Sequence, residues 1–249
     1  MFRGKQLQMQ RRPEFARIRA VLGASVHFRD VEEPDLDHIA ELGRIRRLRD
    51  GQIAPPDGGH GKHFFLIVGG CIRLSAATRS GGEFIYALLG PGSFYGVGNV
   101  IRGINTRAEA HASGDTEIAV CDGAGLLALL DRTPRLWRHV AVLLHKRLTH
   151  AMWAMRDNSM APLRERMVRR LLALAQTADA SRALSRHTPV TLRLTQSDLG
   201  RLLATSRSRV NSELKRLERE NLVEVRYRSI ALTDLAGLLE VAGSDVFVF

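Results

Sequence analysis

Cysteine is nearly absent. The 249 residues hold two, Cys71 and Cys121, fifty positions apart and without a CxxC pairing. That argues against a disulfide framework and against a four-thiolate metal or iron–sulfur site, and leaves both thiols as buried small hydrophobes in a reducing cytoplasm. Nowhere does an apolar run approach the roughly eighteen residues that a membrane span needs, so no membrane partner is expected. Met1 to Ala20 also lacks the apolar stretch of a secretory signal. Signatures of catalysis are missing as well: no Walker loop, HExxH, GxSxG or close Cys–His pair occurs. Gly58-Gly59-His60-Gly61 has the texture of a loop tip rather than a phosphate cradle. The chain is therefore expected not to be an enzyme.

Positive charge, by contrast, is plentiful, with a formal net charge of +11. Its placement matters more than its size. Residues 1–20 carry six Lys/Arg against one Glu, and residues 161–249 carry fifteen against ten acidic residues, while the long middle is almost neutral. A basic terminal domain with a basic leading arm suits a polyanionic partner.

Four regions follow from the texture of the chain. Residues 1–30 read as a basic N-terminal arm, whose Arg/Gln-rich leader to about Arg19 is expected to be disordered or a loosely docked helix. Residues 31–133 read as a β domain, because short apolar segments such as Phe64 to Val68, Cys71 to Leu74, Phe84 to Leu89 and Ile118 to Cys121 alternate with glycine turns. Residues 134–160 read as one long helix. Its Trp137, Ala141, Leu144, Leu148, Ala151 and Met155 recur at spacings of four and three, a heptad seam that must be buried on something. A second copy of the chain is the economical cover, and the chain's own β domain is the alternative. Asn158-Ser159-Met160-Ala161-Pro162 breaks that helix, and residues 161–249 form the basic terminal domain, opening with an amphipathic helix from Leu163 to Gln176 and a polar loop from Thr177 to Thr188.

Within the terminal domain one stretch carries chemistry. Thr195, with Asp198 three residues later, marks the start of a short helix whose apolar face is Leu199, Leu202 and Leu203. Ala204-Thr205 makes a tight connection, and Ser206 can cap a second helix with Val210, Leu214 and Leu217 as its core stripe. At about 100° per residue, Ser208, Ser212, Lys215 and Arg219 then face the other way, with Asn211 beside them. Arg207, Ser208, Asn211, Ser212 and Lys215 are the side-chain types that bond base edges and phosphates in a major groove. Thr195, Gln196 and Ser206, at the starts of the two helices, are counted with them as DNA-binding candidates. An ordinary solvated helical hairpin would explain the polarity but not the short-helix, turn, second-helix order in a basic domain. Leu222 to Val225 and Ile230 to Leu232 flank a basic tip that includes Arg226 and Arg228, a wing suited to phosphates or a minor groove, although a plain surface hairpin would look alike. The alternative function is a small-molecule-binding module whose basic domain does not read DNA sequence.

This order of parts resembles the Crp/Fnr (catabolite-activator) family of bacterial transcription regulators over about residues 35–235. Leu194 to Leu222 aligns with it without a gap, and Gly90-Pro91-Gly92-Ser93-Phe94-Tyr95-Gly96 is similar to the family's roll turn. Asp115-Thr116-Glu117-Ile118 matches its next-to-last roll strand. The resemblance implies an α+β protein: an N-terminal antiparallel β-roll of the cyclic-nucleotide-binding jelly-roll type, a long dimerisation helix and a C-terminal winged helix-turn-helix. It implies a cytoplasmic homodimer that binds double-stranded DNA, senses an effector in its roll and, as an activator, meets RNA polymerase. Family positions facing bases fall on Arg207, which is kept, and on Ser208 and Ser212, which replace a frequent Glu and Arg. The turn glycine is Ala204 here.

Departures in the roll bear on the effector. Where cyclic-nucleotide binders carry a Glu that holds the ribose hydroxyls, Val97 stands, and an apolar side chain accepts no hydrogen bond. The phosphate-binding Arg-Ser pair falls on Thr106 and Arg107, or in a shifted register on Arg107 and Ala108. Positions that would cover an adenine include Ala151, Met152 and Met155, mostly apolar. Val97, Thr106, Arg107, Ala151, Met152 and Met155 are accordingly the ligand-pocket candidates, for an apolar or flatter effector or for none. No cofactor is assigned. An iron–sulfur cluster lacks cysteines, and His111, His139, His145 and His150 read as plain polar side chains rather than haem ligands.

Overall fold

Phe64-Phe65-Leu66-Ile67-Val68 is apolar at consecutive positions. Neighbours on an extended chain point to opposite faces, so such a run needs a core on each side. The computed structural model describes residues 13–54, 61–77, 82–104, 108–178 and 190–243 and supplies both cores. The chain divides into two compact units, Met1–Leu74 with Leu88–Lys146, and Ser75–Ala87 with Arg147–Phe249.

The first unit is a β-roll wrapped by helices. Strands β1 (Gly43–Leu48), β2 (His63–Gly69), β5 (Phe94–Tyr95) and β7 (Thr116–Asp122) form an antiparallel sheet in the order β1-β7-β2-β5. Its register runs Gly43↔Cys121 to Leu48↔Thr116 on one side of β7 and from His63↔Asp122 on the other, with a bulge between Ile67 and Gly69. Strands β3 (Ile72–Ala77), β4 (Glu83–Leu89) and β6 (Glu109–Ala112) form a second sheet in the order β4-β3-β6, of which Ser75–Ala87 falls in the second unit. Along β2 the alternation sends Phe65 and Ile67 into the core between the sheets, with Ile72, Ala110, Ala112 and Ile118. Phe64, Leu66 and Val68 go to the opposite face, where helices cover them. Thr116–Asp122 is the last strand of the described roll, not its next-to-last, because a helix follows at once.

The covering helices are α1 (Pro13–Ala24), α2 (Glu33–Glu41), α3 (Val97–Arg102) and α4 (Gly123–Arg132), joined by the start of the 26-residue α5 (Arg135–Met160). Here the expectation of a disordered or loosely docked leader is corrected for Pro13 to Arg19, while residues 1–12 lie outside the described residues. Pro13 opens α1, and Ile18 and Leu22, one turn apart, are buried against Leu36, Ile39, Phe64 and Cys121. Arg19 ties α1 to α2 through Asp37 at 2.6 Å and through Glu33. Buried Asp35 accepts two hydrogen bonds from Arg135, at 2.9 and 3.1 Å, fixing the start of α5. Burial pushes the Cys121 thiol up to about 12, so it stays a protonated hydrophobe. Cys71, expected buried, is only half-buried, because it lies in the turn between β2 and β3 rather than within a strand.

Helix α5 carries two apolar stripes. Leu136, Val140 and Leu143 pack into the roll core. One residue further round, Trp137, Ala141, Leu144, Leu148, Ala151 and Met155 are exposed, with Leu148 at 60% and Met155 at 71%. Neither unit therefore covers its own part of the heptad seam.

The second unit gathers around α6 (Leu163–Ala178), whose Met167, Val168, Leu171, Leu172 and Ala175 are fully buried. Asp157 near the end of α5 accepts from Arg169 of α6 at 2.8 Å and from Arg156 at 3.1 Å, bracing the two helices across the Ala161-Pro162 break. A sheet in the order β8-β10-β9 unites Val190–Leu192, Ser229–Leu232 and Val223–Arg226. Strand β8 and the final helix α9 (Leu235–Ala242), held where Arg169 Nε donates to the Ala242 carbonyl at 2.8 Å, were not expected from the sequence. Thr177 and Ala178, assigned to a loop, continue α6, and the rest of that loop lies outside the described residues.

The packing of α1 is directly testable. Leu22→Ala should lower the free energy of unfolding by about 2–5 kcal/mol in a urea titration. A change below about 0.5 kcal/mol, the size of an ordinary surface substitution, would mean that α1 is no part of the core.

Candidate nucleic-acid interface

A short helix in water is marginal, so the first helix here survives on its cap and its apolar face. Thr195 precedes α7 (Gln196–Leu202), and its hydroxyl accepts from the Asp198 amide at 3.0 Å while the Asp198 carboxylate reaches back to the Thr195 amide. The same hydroxyl donates to Asp198 at 2.6 Å, so Thr195 is wholly engaged in capping. Leu199, Leu202 and Leu203 are buried as the sequence predicts. Gly200 faces the crossing point: a Cβ there would meet the Thr205 carbonyl oxygen at 2.9 Å. Thr205 in turn donates its amide to the Gly200 carbonyl at 2.9 Å, which closes the turn. Ala204 accommodates this geometry with φ +49°, a left-handed conformation that glycine adopts without a Cβ clash.

Ser206 accepts from the Arg209 amide at 3.3 Å and starts α8 (Arg207–Arg219). Val210, Leu214 and Leu217 are 0% exposed, which fixes the rotation of the helix. Arg207, Ser208, Arg209, Ser212, Lys215 and Arg219 are all exposed. Asn211 sits half-buried at the edge of that face, and its Oδ1 accepts from Gln196 Nε2 at 3.3 Å, leaving the Asn211 amide nitrogen as a donor. The Ser212 hydroxyl donates to the Ser208 carbonyl at 3.1 Å, so its oxygen is left as an acceptor.

The wing is braced on the same helix. Strands β9 and β10 pair from Leu232↔Val223 to Ser229↔Arg226, leaving Tyr227 and Arg228 as the turn. Glu218 of α8 accepts from the Val225 amide at 2.9 Å, and the Arg228 carbonyl accepts from Leu194 at 3.1 Å. Arg226 is paired to Glu224 by contacts of 2.6 and 2.8 Å, which hold the Glu224 carboxyl below its ordinary range. Glu218, Glu224 and Gly200 escaped the sequence reading. Only Gly200 had a signal there, a glycine where two helices approach.

The DNA-contact candidates Thr195, Gln196, Ser206, Arg207, Ser208, Asn211, Ser212, Lys215, Arg226 and Arg228 thus fall on three neighbouring elements of one unit. The ligand-pocket candidates do not form such a group. Val97 is the first residue of α3 and lies 4% exposed in the core between the first sheet and its covering helices, with Val100. Thr106 and Arg107 are outside the described residues, and Ala151, Met152 and Met155 are exposed on α5. Among the described residues no group of three or more His, Cys, Asp or Glu could hold a metal ion, and no helix is long and apolar enough to cross a membrane.

A β-roll, a long helix and a winged helix-turn-helix define a class, the two-domain transcription regulators. Residues 165–241 match the Crp-like helix-turn-helix domain and residues 45–133 the cyclic nucleotide-binding domain. The chain is 29% identical over 215 residues to the cyclic AMP receptor protein of Thermus thermophilus, covering 86% of this chain and 95% of that one. It is also similar to the crystal structure of a CRP/FNR-family transcriptional regulator from the same organism, with TM-score 0.62 and 25% identity over 81% of this chain and 99% of that one. FixK2 from Bradyrhizobium japonicum shares the fold at TM-score 0.69 and 19% identity, over 80% and 97%. The chain belongs to the Crp/Fnr family of transcription regulators.

Ala204 supplies the test of the local geometry. Ala204→Gly should raise the stability of the protein by about 0.5–1 kcal/mol, because the left-handed turn no longer strains a Cβ. A lowered denaturation midpoint would show that the turn is not held at positive φ.

Proposed function

We propose that the chain is a homodimeric, sequence-specific DNA-binding regulator that lays α8 in the major groove. The single observation carrying this reading is the division of α8: three buried leucine and valine side chains on one side, and Arg207, Ser208, Ser212 and Lys215 exposed on the other. Arg207, in the first turn, is long enough to reach a guanine edge. Asn211 offers a donor, and Ser208 and Ser212 face neighbouring base edges. Lys215 lies further along, where the helix rises towards phosphates, and Arg226 and Arg228 meet the backbone from the wing. As an activator in the cytoplasm, such a dimer would contact RNA polymerase beside its site.

Arg207→Ala should cost about 1–3 kcal/mol on the preferred duplex and flatten discrimination at one base position. Lys215→Ala should weaken all sequences alike and lower the salt slope by about one unit. Unchanged base ranking with Arg207→Ala would mean that α8 is not the reading helix.

The exposed stripe on α5 supports a two-fold dimer, since a second copy of the same stripe is its natural cover. Replacing Leu144 and Leu148 together by Glu should give monomers in sedimentation and abolish DNA binding, because one half-site supplies too few contacts. A double variant that still sediments as a dimer would remove the seam from the interface.

For the roll, buried Val97 argues against the ribose-capturing mode of cyclic AMP recognition. The Thermus relative carries the name of a cyclic AMP receptor protein, but this chain has no carboxylate at the corresponding position. Calorimetry with cyclic AMP should give no micromolar isotherm, and a clear one, lost on Arg107→Ala, would contradict this reading.

A further inference from the structure

Tyr227 is the most exposed of the large apolar or aromatic side chains among the described residues, at 91%. It stands at the wing's two-residue turn, and three features set it apart from a stray surface aromatic. First, its backbone is held. The Glu218 carboxylate on α8 takes the Val225 amide, Leu194 donates to the Arg228 carbonyl, and Thr233 Oγ1 donates to the Asn221 carbonyl at 2.7 Å. The tip is therefore positioned by the recognition helix itself. Second, Arg228 beside it adopts φ +53°, so the turn keeps a left-handed arginine where glycine would fit without strain. Third, Arg226 is paired to Glu224, which masks a carboxylate that would otherwise repel phosphates.

Position then selects the target. Strand β9 runs beside α8, where Glu218 holds the Val225 amide, and two residues further on the turn presents Tyr227 next to the recognition helix. A duplex that receives α8 in its major groove turns its phosphate backbone and the adjoining minor groove towards an element flanking that helix. The wall it meets there is deoxyribose, apolar on its face and lined by phosphate oxygens. A phenol ring with an apolar body and a polar end matches that surface.

Resting on the reading of α8 as the recognition helix, we propose that Tyr227 is the wing's principal DNA contact. Its ring packs on the deoxyribose wall of the minor groove flanking each half-site, and its hydroxyl donates to a phosphate.

The test uses the full chain on its preferred duplex, with Tyr227→Ala, Tyr227→Phe and Arg207→Ala compared with the wild type. Thermal melts should coincide for both Tyr227 variants, since the side chain stands almost wholly in solvent. Tyr227→Ala should bind roughly tenfold more weakly, the size expected for losing an aromatic contact to nucleic acid. It should also lose hydroxyl-radical protection of the flanking deoxyriboses, while dimethyl sulfate protection of guanine N7 in the major groove persists. Tyr227→Phe should keep the deoxyribose protection with a smaller loss of affinity. Wild-type affinity and an intact flanking footprint for Tyr227→Ala, beside a weakened Arg207→Ala, would overturn the wing contact and leave the recognition helix standing. Wild-type binding by both Tyr227→Ala and Arg207→Ala would overturn both.

Discussion

Helix α5 has more apolar surface than the chain around it can cover. Leu136, Val140 and Leu143 go into the roll core, where buried Asp35 clamps the helix start through Arg135. Trp137, Leu144, Leu148 and Met155 remain in water. At roughly 25 cal/mol per Å² of apolar surface, exposure of several such side chains along 26 residues is costly, and a self-complementary partner removes that cost most simply. Proposed dimerisation follows from this constraint, and a two-fold pair of recognition helices follows from dimerisation.

The recognition unit solves a different problem, that of holding a polar helix still. Most side chains of α8 face solvent, so its position depends on Val210, Leu214 and Leu217 and on its neighbours. The Thr195–Asp198 capping box, the close approach at Gly200 and the left-handed Ala204 together fix the angle between α7 and α8. Glu218 extends the same frame to the wing. Each of these features is internal to the unit, and none requires a ligand.

How much of this is legible in the sequence depends on the range of the contacts. The consecutive apolar run at Phe64–Val68 announces a strand buried on both faces, and the period of Val210, Leu214 and Leu217 announces the orientation of α8, because both are local patterns. The α5 seam is legible for the same reason, although only the structure separates it from the Leu136, Val140, Leu143 stripe one residue away. Helix α1 is hard to read because its apolar signal, Phe15, Ile18 and Leu22, is diluted by arginines and straddles the end of the polar leader. Two of its arginines are engaged within the unit: Arg17 pairs with Glu117 and Arg19 with Asp37 and Glu33. Long-range hydrogen bonds, such as Glu218 to Val225 and Arg169 to Ala242, leave no periodic trace and cannot be read from sequence.

Whether two copies of α8 read one duplex is the central question. Purified protein should be offered a pool of random-sequence DNA, and the retained duplexes sequenced after several rounds. Two copies of one short motif in inverted orientation, with centres one helical turn or about 34–36 Å apart, are the predicted result. A pool in which no sequence is enriched, or in which a single unpaired motif emerges, would contradict it.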